Sequence, residues 1–253
     1  MAVSYPKDGH ELCYQLEDRS FWFRHRNLCI TEAVRQFPPD GVILDVGGGN
    51  GYVARALIDA GYPTVLLEPG AEGAANARLQ RKIPDVICAT LEDAGLAPGN
   101  TAAVGLFDVL EHVDDDGGFV AKIHDLLRPG GLVYVTVPAH QWLWSPTDLD
   151  AGHFRRYSTQ QLESRFRLAG FDILYATYFF QILLPPFFLM RTLPHALGLR
   201  GRRDASGYHL EHTAGDGRVA AWLQALLARE VTVIANRRTL ATGTSCLLVA
   251  RKS

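Results

Sequence analysis

An excess of either charge is missing from this sequence. Its 25 basic residues are balanced by 27 acidic ones, for a formal net charge of -2 with histidine neutral. Such a chain offers no basic footprint for nucleic acid, which calls for a domain pI above ~9. Cysteine is scarce too. Four residues, at positions 13, 29, 88 and 246, stand at no metal-ligand spacing, and disulfide frameworks belong to much smaller secreted domains. A chain of 253 residues buries enough surface to need no such staple. The opening MAVSYPKDGHELCYQLEDRS is polar and acidic and lacks the order of a secretory signal. A reduced, cytoplasmic setting is the expectation. No internal repeat is present. A hydrophobic share of 47% with 21% charged residues excludes disorder and low-complexity arrays.

Long apolar runs are also rare. Ile173 to Met190 gives 18 consecutive positions without a charge, just short of the ~20 of a spanning helix. Pro185-Pro186 falls inside that run and would break a helix there. The first half, ILYATYFFQILL, is aromatic and branched, as a strand is. A buried strand followed by an apolar helix is expected, and peripheral contact with a membrane surface or a greasy substrate stays open.

What is present is an alternation of strand and helix signals, the pattern of an α/β sheet. Short apolar runs at 42–46, 65–68, 85–89, 102–107 and 132–137 read as strands. Helical spacing covers 51–60, 71–82 and 117–127, the last stopped by Pro129-Gly130-Gly131. Trp142 to Tyr157 reads as a long polar-aromatic loop. Ser158 with Gln161 three residues on is a capping-box pattern opening a helix over 158–169. A strand over 171–184, an apolar helix over 186–197, a charged Gly-rich stretch over 200–216, a helix over 219–235 and a last strand over 245–251 follow. Residues 1–40 form a helical N-terminal cap, and 41–253 form one domain with an apolar and charged insertion at 185–217.

The most informative stretch is Val42–Ala54, VILDVGGGNGYVA. Asp45, Gly47, Gly49 and Gly51 alternate between a strand and a helix, where glycines let the backbone turn sharply and approach a ligand. Glu68 ends the next strand 19 residues after Gly49, the spacing at which an acidic side chain takes ribose hydroxyls. Gly49–Ala54 also satisfies the dinucleotide pattern G-x-G-x-x-G/A. A carboxylate at Asp45 suits a positively charged ligand better than a pyrophosphate. S-adenosylmethionine, with an α-amino group, a sulfonium and no phosphate, is such a ligand.

Asp45-Val-Gly47-Gly48-Gly49-Asn-Gly51 resembles the D/E-x-G-x-G-x-G motif of class I S-adenosylmethionine-dependent methyltransferases. Phe107-Asp108-Val-Leu-Glu111-His112-Val, Leu126-Leu-Arg-Pro-Gly-Gly131 and Ala169-Gly-Phe171 are similar, in order and spacing, to the small-molecule, ubiquinone-biosynthesis-like branch of that family. The resemblance runs from about 41 to 178, with 245–251 fitting the final strand. It implies a Rossmann-like, seven-stranded, mostly parallel sheet of order 3-2-1-4-5-7-6. It also implies that Gly47, Gly48, Gly49 and Gly51 hold the methionine end of the cofactor. Asp45 would meet its amino group through water, and Glu68, with Pro69 beside it, its ribose. Thr90, Leu91 and Glu92 would flank the adenine, although the common aspartate near Thr90 is not where the family has it. Phe107 and Asp108 would lie beside the methionine moiety. In the N-terminal cap, Trp22 would close over the cofactor and Arg26 would reach its carboxylate.

Acceptor residues should follow the fifth strand, because ligands of open α/β sheets gather outside the strands' carboxyl ends. Residues 138–157 begin there, and many bacterial family members have a similar W-S-x-x-D…G-H-x-R-R-Y stretch. His153 is the preferred general base, with His140 and His112 behind it, since a neutral imidazole near pH 7 suits that task. Trp142, Trp144, Asp148, Arg155, Arg156 and Tyr157 are the candidate acceptor contacts. Holding His153 by Asp148 or Asp150, and packing of Arg155 or Arg156 on Tyr157 or Trp144, are the purely structural alternatives. No metal is expected: Asp148, Asp150 and His153, or His209 and His212, carry no dedicated ligand spacing.

The implied activity is methyl transfer to a small-molecule acceptor such as a sugar, a lipid-linked compound or a natural product, with O-methylation favoured over N-methylation. Three rivals remain. One is a cofactor-dependent cyclase or decarboxylase on the same fold, one a membrane-peripheral binding protein, and one a nicotinamide oxidoreductase. Monomer and homodimer are both compatible with the sequence.

Overall fold

A computed structural model describes residues 14, 17, 18, 20–196 and 218–253, except the side chains of 191, 195, 196 and 218–222. The charged Gly-rich stretch, His209 and His212 lie outside the described residues.

Strands β1 (Ile43–Val46), β2 (Thr64–Leu67), β3 (Val86–Ile87), β4 (Thr101–Phe107), β5 (Leu127–Pro138), β6 (Phe171–Phe179) and β7 (Ser245–Lys252) form one sheet. Its order is β3-β2-β1-β4-β5-β7-β6, as the sequence implied. β1 to β5 pair in parallel. β7 runs antiparallel to both β5 and β6. Helices are α1 (Phe21–Gln36), α2 (Tyr52–Asp59), α3 (Ala71–Leu79), α4 (Asp116–Leu126), α5 (Pro146–Asp150), α6 (Thr159–Leu168), α7 (Leu184–Phe187), α8 (Leu193–Ala196) and α9 (Arg218–Ala235).

The central strands read as continuous apolar runs because both sheet faces are covered. Leu44, Val46, Val104, Leu106, Val133 and Val135 pack with Phe119, Val120 and Ile123 of α4 and Leu162 and Phe166 of α6. On the other face, Ile43, Ala103, Tyr134, Leu247 and Val249 meet Ile30, Ala33 and Val34 of α1, Val53 and Leu57 of α2, and Leu227 and Ile234 of α9. Asp45 is two residues from Ile43, so the pleat aims it at this second face, under α1 and α2.

Several element boundaries differ from the sequence reading. The Pro129-Gly130-Gly131 turn lies within β5: residues 128–131 bulge out between the pairs Leu127↔Thr101 and Leu132↔Ala103. The expected loop over 142–157 contains α5, nucleated by Ser145 and Asp148, which cap each other's backbone amides in a capping box. The strand expected to reach 184 stops at Phe179. Phe180 turns into the left-handed region (φ +59°), and Glu230 of α9 captures the Phe180 and Gln181 amides at 2.7 Å each. Pro185-Pro186 stands where the sequence rules out a continuous helix through 173–190, and the apolar helix expected from Pro186 begins two residues earlier, at Leu184. The prolines sit in the first turn of α7, where a missing N–H costs nothing, and a π-helical segment, Phe188–Thr192, links α7 to α8. Among the described residues no helix is long and apolar enough to cross a membrane.

Candidate active site

The C-terminal end of β1 is followed by a turn that only glycine builds easily. Gly47, Gly49 and Gly51 have φ of +70°, +55° and +79°, a region strained for any side chain. Gly48 answers to a different demand. A Cβ there would stand 2.2 Å from Leu66 Cδ1 and 2.5 Å from Asp45 Oδ2. The loop therefore lies directly on the Asp45 carboxylate. Asp45 is fully buried (0% exposed), and neither of its oxygens has a hydrogen-bond partner among the described residues. Burial pushes its carboxyl up to about 7, against the pull of Arg26 and with a push from Glu68.

Glu68 closes the loop from β2. Its Oε2 accepts from Gly49 N at 2.9 Å and its Oε1 from Gly70 N at 2.6 Å. One carboxylate thus fixes both the glycine turn and the chain beyond Pro69. On the β3 side, Thr90 Oγ1 donates to Asp93 Oδ2 at 2.7 Å, and Glu92 pairs with Lys122 at 2.6 Å, whose hydrogen bond holds that carboxyl below its ordinary value. Leu91 packs against the core. Sequence reasoning missed Asp93. Its position three residues past Thr90, at a turn, was the available signal.

Helix α1 crosses the end of β4. Arg26 donates from Nη2 to the Phe107 carbonyl at 2.8 Å, and its Nε lies 2.6 Å from Asp108 Oδ2. Asp108 is left-handed (φ +58°) and is pinned by Thr136, whose Oγ1 donates to Oδ1 at 3.0 Å and whose carbonyl takes the Asp108 amide at 2.9 Å. Gly105 leaves room for Phe107 to fold back, since a Cβ there would stand 2.4 Å from the Phe107 ring. Trp22 stacks on Phe180 (5.4 Å between centroids), with the Arg26 guanidinium 5.6 Å from its ring.

The segment after β5 folds around Asp148, whose charge is spent internally. Arg156 donates to it from Nε and Nη2 at 2.7 and 3.1 Å, Ser145 from its backbone amide at 2.9 Å, and His153 Nδ1 lies 2.9 Å away. Burial alone would raise this carboxyl, but the His153 and Arg156 contacts outweigh it and hold it below its ordinary value. Asp148 and Arg156, expected as acceptor contacts, are buried against each other and frame the segment instead. Arg155 binds Asp116 Oδ2 (3.1 Å) and the Asp114 carbonyl (2.7 Å). Tyr157 is buried and donates to Asp116 Oδ2 at 2.9 Å. These four residues are thus engaged internally, and of the structural alternatives the hold of Asp148 on His153 is present, while the guanidinium of Arg155 lies over Phe154 and that of Arg156 over Phe187.

Other candidates face the open end. His140 stacks between Trp142 (5.2 Å) and Tyr178 (4.8 Å), and burial, with Arg156 nearby, lowers its pKa. Trp142 is exposed and meets Phe188. Trp144 is half-buried after a 3-10 turn over Gln141–Leu143. The 3-10 turn Leu110–His112 that follows β4 brings His112 against His153, edge to face, with ring centroids 4.8 Å apart. Burial and the neighbouring His153 push His112 down to about 4. Glu111 is also buried, and burial with the nearby Asp108 lifts its carboxyl well above the usual range.

Comparison with known proteins identifies the family and the fold. A family model described as a methyltransferase domain matches residues 17–176. A probable S-adenosylmethionine-dependent methyltransferase of Mycolicibacterium smegmatis is 26% identical over 171 residues, covering 66% of either chain. The chain therefore spans just under two thirds of that relative's length. A ubiquinone biosynthesis O-methyltransferase of Sodalis glossinidius is 36% identical over 97 residues, covering 36% of this chain and 39% of the relative. Among solved structures, a Thermotoga maritima S-adenosylmethionine-dependent methyltransferase, titled a possible histamine N-methyltransferase, shares the fold. Its TM-score is 0.60 at 16% identity, over 97% of this chain and 95% of that one. With the family model covering more than half of its length and the sheet order that of the fold, the chain belongs to the methyltransferase-domain family, in its class I, S-adenosylmethionine-dependent group.

Proposed function

We propose that this protein moves the methyl group of S-adenosylmethionine to a hydroxyl of a small-molecule acceptor. The observation that carries the reading is the pairing of a Cβ-free cradle at Gly47–Gly51 with a buried, unpartnered Asp45 beneath it. A cationic amino-acid end fits that combination, and a pyrophosphate does not. Glu68, already fixed by two loop amides, retains lone pairs for ribose hydroxyls. Arg26 and Asp108, held by each other and by Phe107 and Thr136, would bracket the methionine carboxylate and amine. Thr90, Leu91 and Glu92 would border the adenine. Once bound, the cofactor supplies an activated methyl group.

The chain's own task is then alignment and, for a hydroxyl, proton removal. In-line alignment alone is worth about 7–11 kcal/mol, and a general base adds ~10²–10⁴-fold. His153 suits the base role. Asp148 is kept ionised by Arg156, so it orients His153 by accepting from Nδ1–H and leaves Nε2 to take a proton, the orienting logic of catalytic triads. His140, stacked between Trp142 and Tyr178, would offer with Trp142 an aromatic wall for a ring or chain of the acceptor. A sugar, a lipid-linked compound or a natural product carries a hydroxyl of the right kind. The O-methyltransferase relative at 36% identity favours O- over N-methylation.

Calorimetric titration with S-adenosylhomocysteine is the direct test: one site per chain is expected, and no binding at millimolar ligand refutes the proposal. For the base, His153→Ala should lower kcat by two to four orders of magnitude on a hydroxyl acceptor while S-adenosylhomocysteine affinity holds. Unchanged turnover removes His153 from that role.

A further inference from the structure

We propose that Glu111, His112 and His153 bind one divalent transition-metal ion of the zinc type. Each residue offers one donor atom, and the three donors lie within 4.8 Å of one another. Tetrahedral zinc, with bonds of ~2.0–2.1 Å, wants its donors about 3.3 Å apart. The cluster is therefore a side-chain adjustment away from a three-donor site that leaves one tetrahedral position open.

Three independent features point to a cation. First, Glu111 is only 1% exposed, and its Oε2 has no hydrogen-bond partner among the described residues. A buried carboxylate oxygen left without a partner in a native fold calls for an explanation, and an absent ion is one. Second, both imidazoles are arranged as metal-binding histidines are. Such rings pass their second N–H to a carboxylate or a backbone carbonyl. His153 Nδ1 is 2.9 Å from Asp148, which frees Nε2, and the His112 ring hydrogen-bonds to the backbone of Gly152. Third, the parts are assembled across the fold rather than locally. The Phe154 amide donates to the Glu111 carbonyl at 2.8 Å, tying the segment that carries His153 to the turn that carries Glu111 and His112. Two imidazoles and one carboxylate select against magnesium and calcium, which prefer all-oxygen shells, and suit zinc, iron(II) or manganese(II) with positions left open.

The site lies at the acceptor end of the proposed active centre. For its purpose, though not for its existence, the inference rests on the methyl-transfer reading. A cation there would bind an acceptor hydroxyl and lower its pKa so that the proton passes to solvent; in the metal-bound form His153, its Nε2 then a ligand, would hold the ion and not act as the base.

The test uses the full chain, stripped with chelator and titrated with cobalt(II), a zinc surrogate with visible ligand-field absorption. One equivalent should bind and be displaced by zinc(II). X-ray absorption of the zinc-loaded wild type should show two imidazole donors and one carboxylate donor. Glu111→Gln and His153→Ala should each weaken binding at least tenfold. Asp148→Asn, which reaches the ion only through His153 while keeping its volume beside Arg156 and Ser145, should weaken it 10–100-fold. Absence of stoichiometric binding overturns the proposal, as does a zinc shell without two imidazoles, which does not depend on any variant folding. Binding unaffected in His153→Ala overturns it as well. S-adenosylhomocysteine titration of the same preparation reports separately on the methyltransferase reading.

Discussion

Asp45→Asn should stabilise the ligand-free protein at neutral pH while weakening its hold on the cofactor. Asp45 is fully buried without a hydrogen-bond partner, and its carboxyl titrates at about 7 instead of 3.8. Below pH 3.8 the carboxyl is protonated in both the folded and unfolded chains and costs nothing. Between 3.8 and 7 the unfolded chain gives up the proton and the folded chain keeps it, so stability falls as pH rises. Above 7 the loss is complete. At ~1.4 kcal/mol per pH unit the whole interval is worth about 4 kcal/mol, of which about 2.7 kcal/mol falls between pH 5 and 7. Asparagine does not titrate. Its advantage over aspartate should therefore grow by about 2–3 kcal/mol from pH 5 to pH 8. For a domain of this size that is roughly 5–10 °C in Tm. A buried amide left unpaired costs about 1–3 kcal/mol, which offsets the gain equally at every pH and does not touch the slope. Thermal unfolding of both proteins without ligand, at half-unit steps from pH 5 to 8, measures the difference. Curves that stay parallel refute the argument, since they would mean that Asp45 is hydrated or paired. In the bound state the sign should reverse: S-adenosylhomocysteine affinity drops in Asp45→Asn and loses its dependence on pH between 6 and 8.

Gly48→Ala places a methyl group against Leu66 and Asp45 at 2.2 and 2.5 Å. Because Leu66 is itself fully buried, the loop must lift. A loss of about 1–3 kcal/mol in urea unfolding and at least a tenfold loss of S-adenosylhomocysteine affinity are expected. Glu230→Ala strands the Phe180 and Gln181 amides and the His25 ring that share its carboxylate. With about 1–3 kcal/mol for each buried amide left unpaired, Tm should fall by ~5–15 °C while the glycine cradle, on another part of the sheet, keeps its ligand affinity in the folded fraction.

The sheet was legible because its signals are local. Val42–Val46 and Leu132–Val137 are short runs closed by Gly47 and Pro138, Ala102–Phe107 is closed by Asp108, and a run buried on both faces looks the same wherever it lies. Asp45 and Glu68 were legible because a fixed spacing ties them to strand ends. Other contacts could not be read. Arg26 finds Phe107 and Asp108 across 81 and 82 positions of sequence, and Glu230 reaches Phe180 across 50; nothing in either neighbourhood encodes the partner. Residues 142–157 misled in a different way. Their polarity suggested an open loop, yet Asp148 satisfies Ser145, His153 and Arg156 at once. A cluster of opposite charges that neutralises itself is indistinguishable in sequence from one waiting for a ligand. Pro185-Pro186 was legible as a bar to one continuous helix through 173–190, but the start of the apolar helix fell at Leu184 and not at Pro186, because proline is forbidden inside a helix and welcome in its first turn.

The placement of charge at the strand ends separates the two halves of the site. Asp45, Asp108 and Glu111 stand near the ends of β1 and β4, with Arg26 close to all three: it pairs with Asp108 and pulls down the carboxyls of Asp45 and, together with Arg156, of Glu111, without overcoming the effect of burial. Burial of carboxylates beyond what one guanidinium can neutralise is costly in a free protein, as the upward shifts of Asp45 and Glu111 register. That cost is recovered only when positive charge arrives. An ammonium and a sulfonium at the Asp45 end, and a metal ion at the Glu111 end, would each supply it. The segment after β5, by contrast, matches its Asp148 with Arg156, and its Arg155 with Asp116 of α4. On the proposed reading, cofactor recognition would fall to unbalanced carboxylates on the sheet, and acceptor recognition to aromatic surface around His140 and Trp142, which sets shape more than charge.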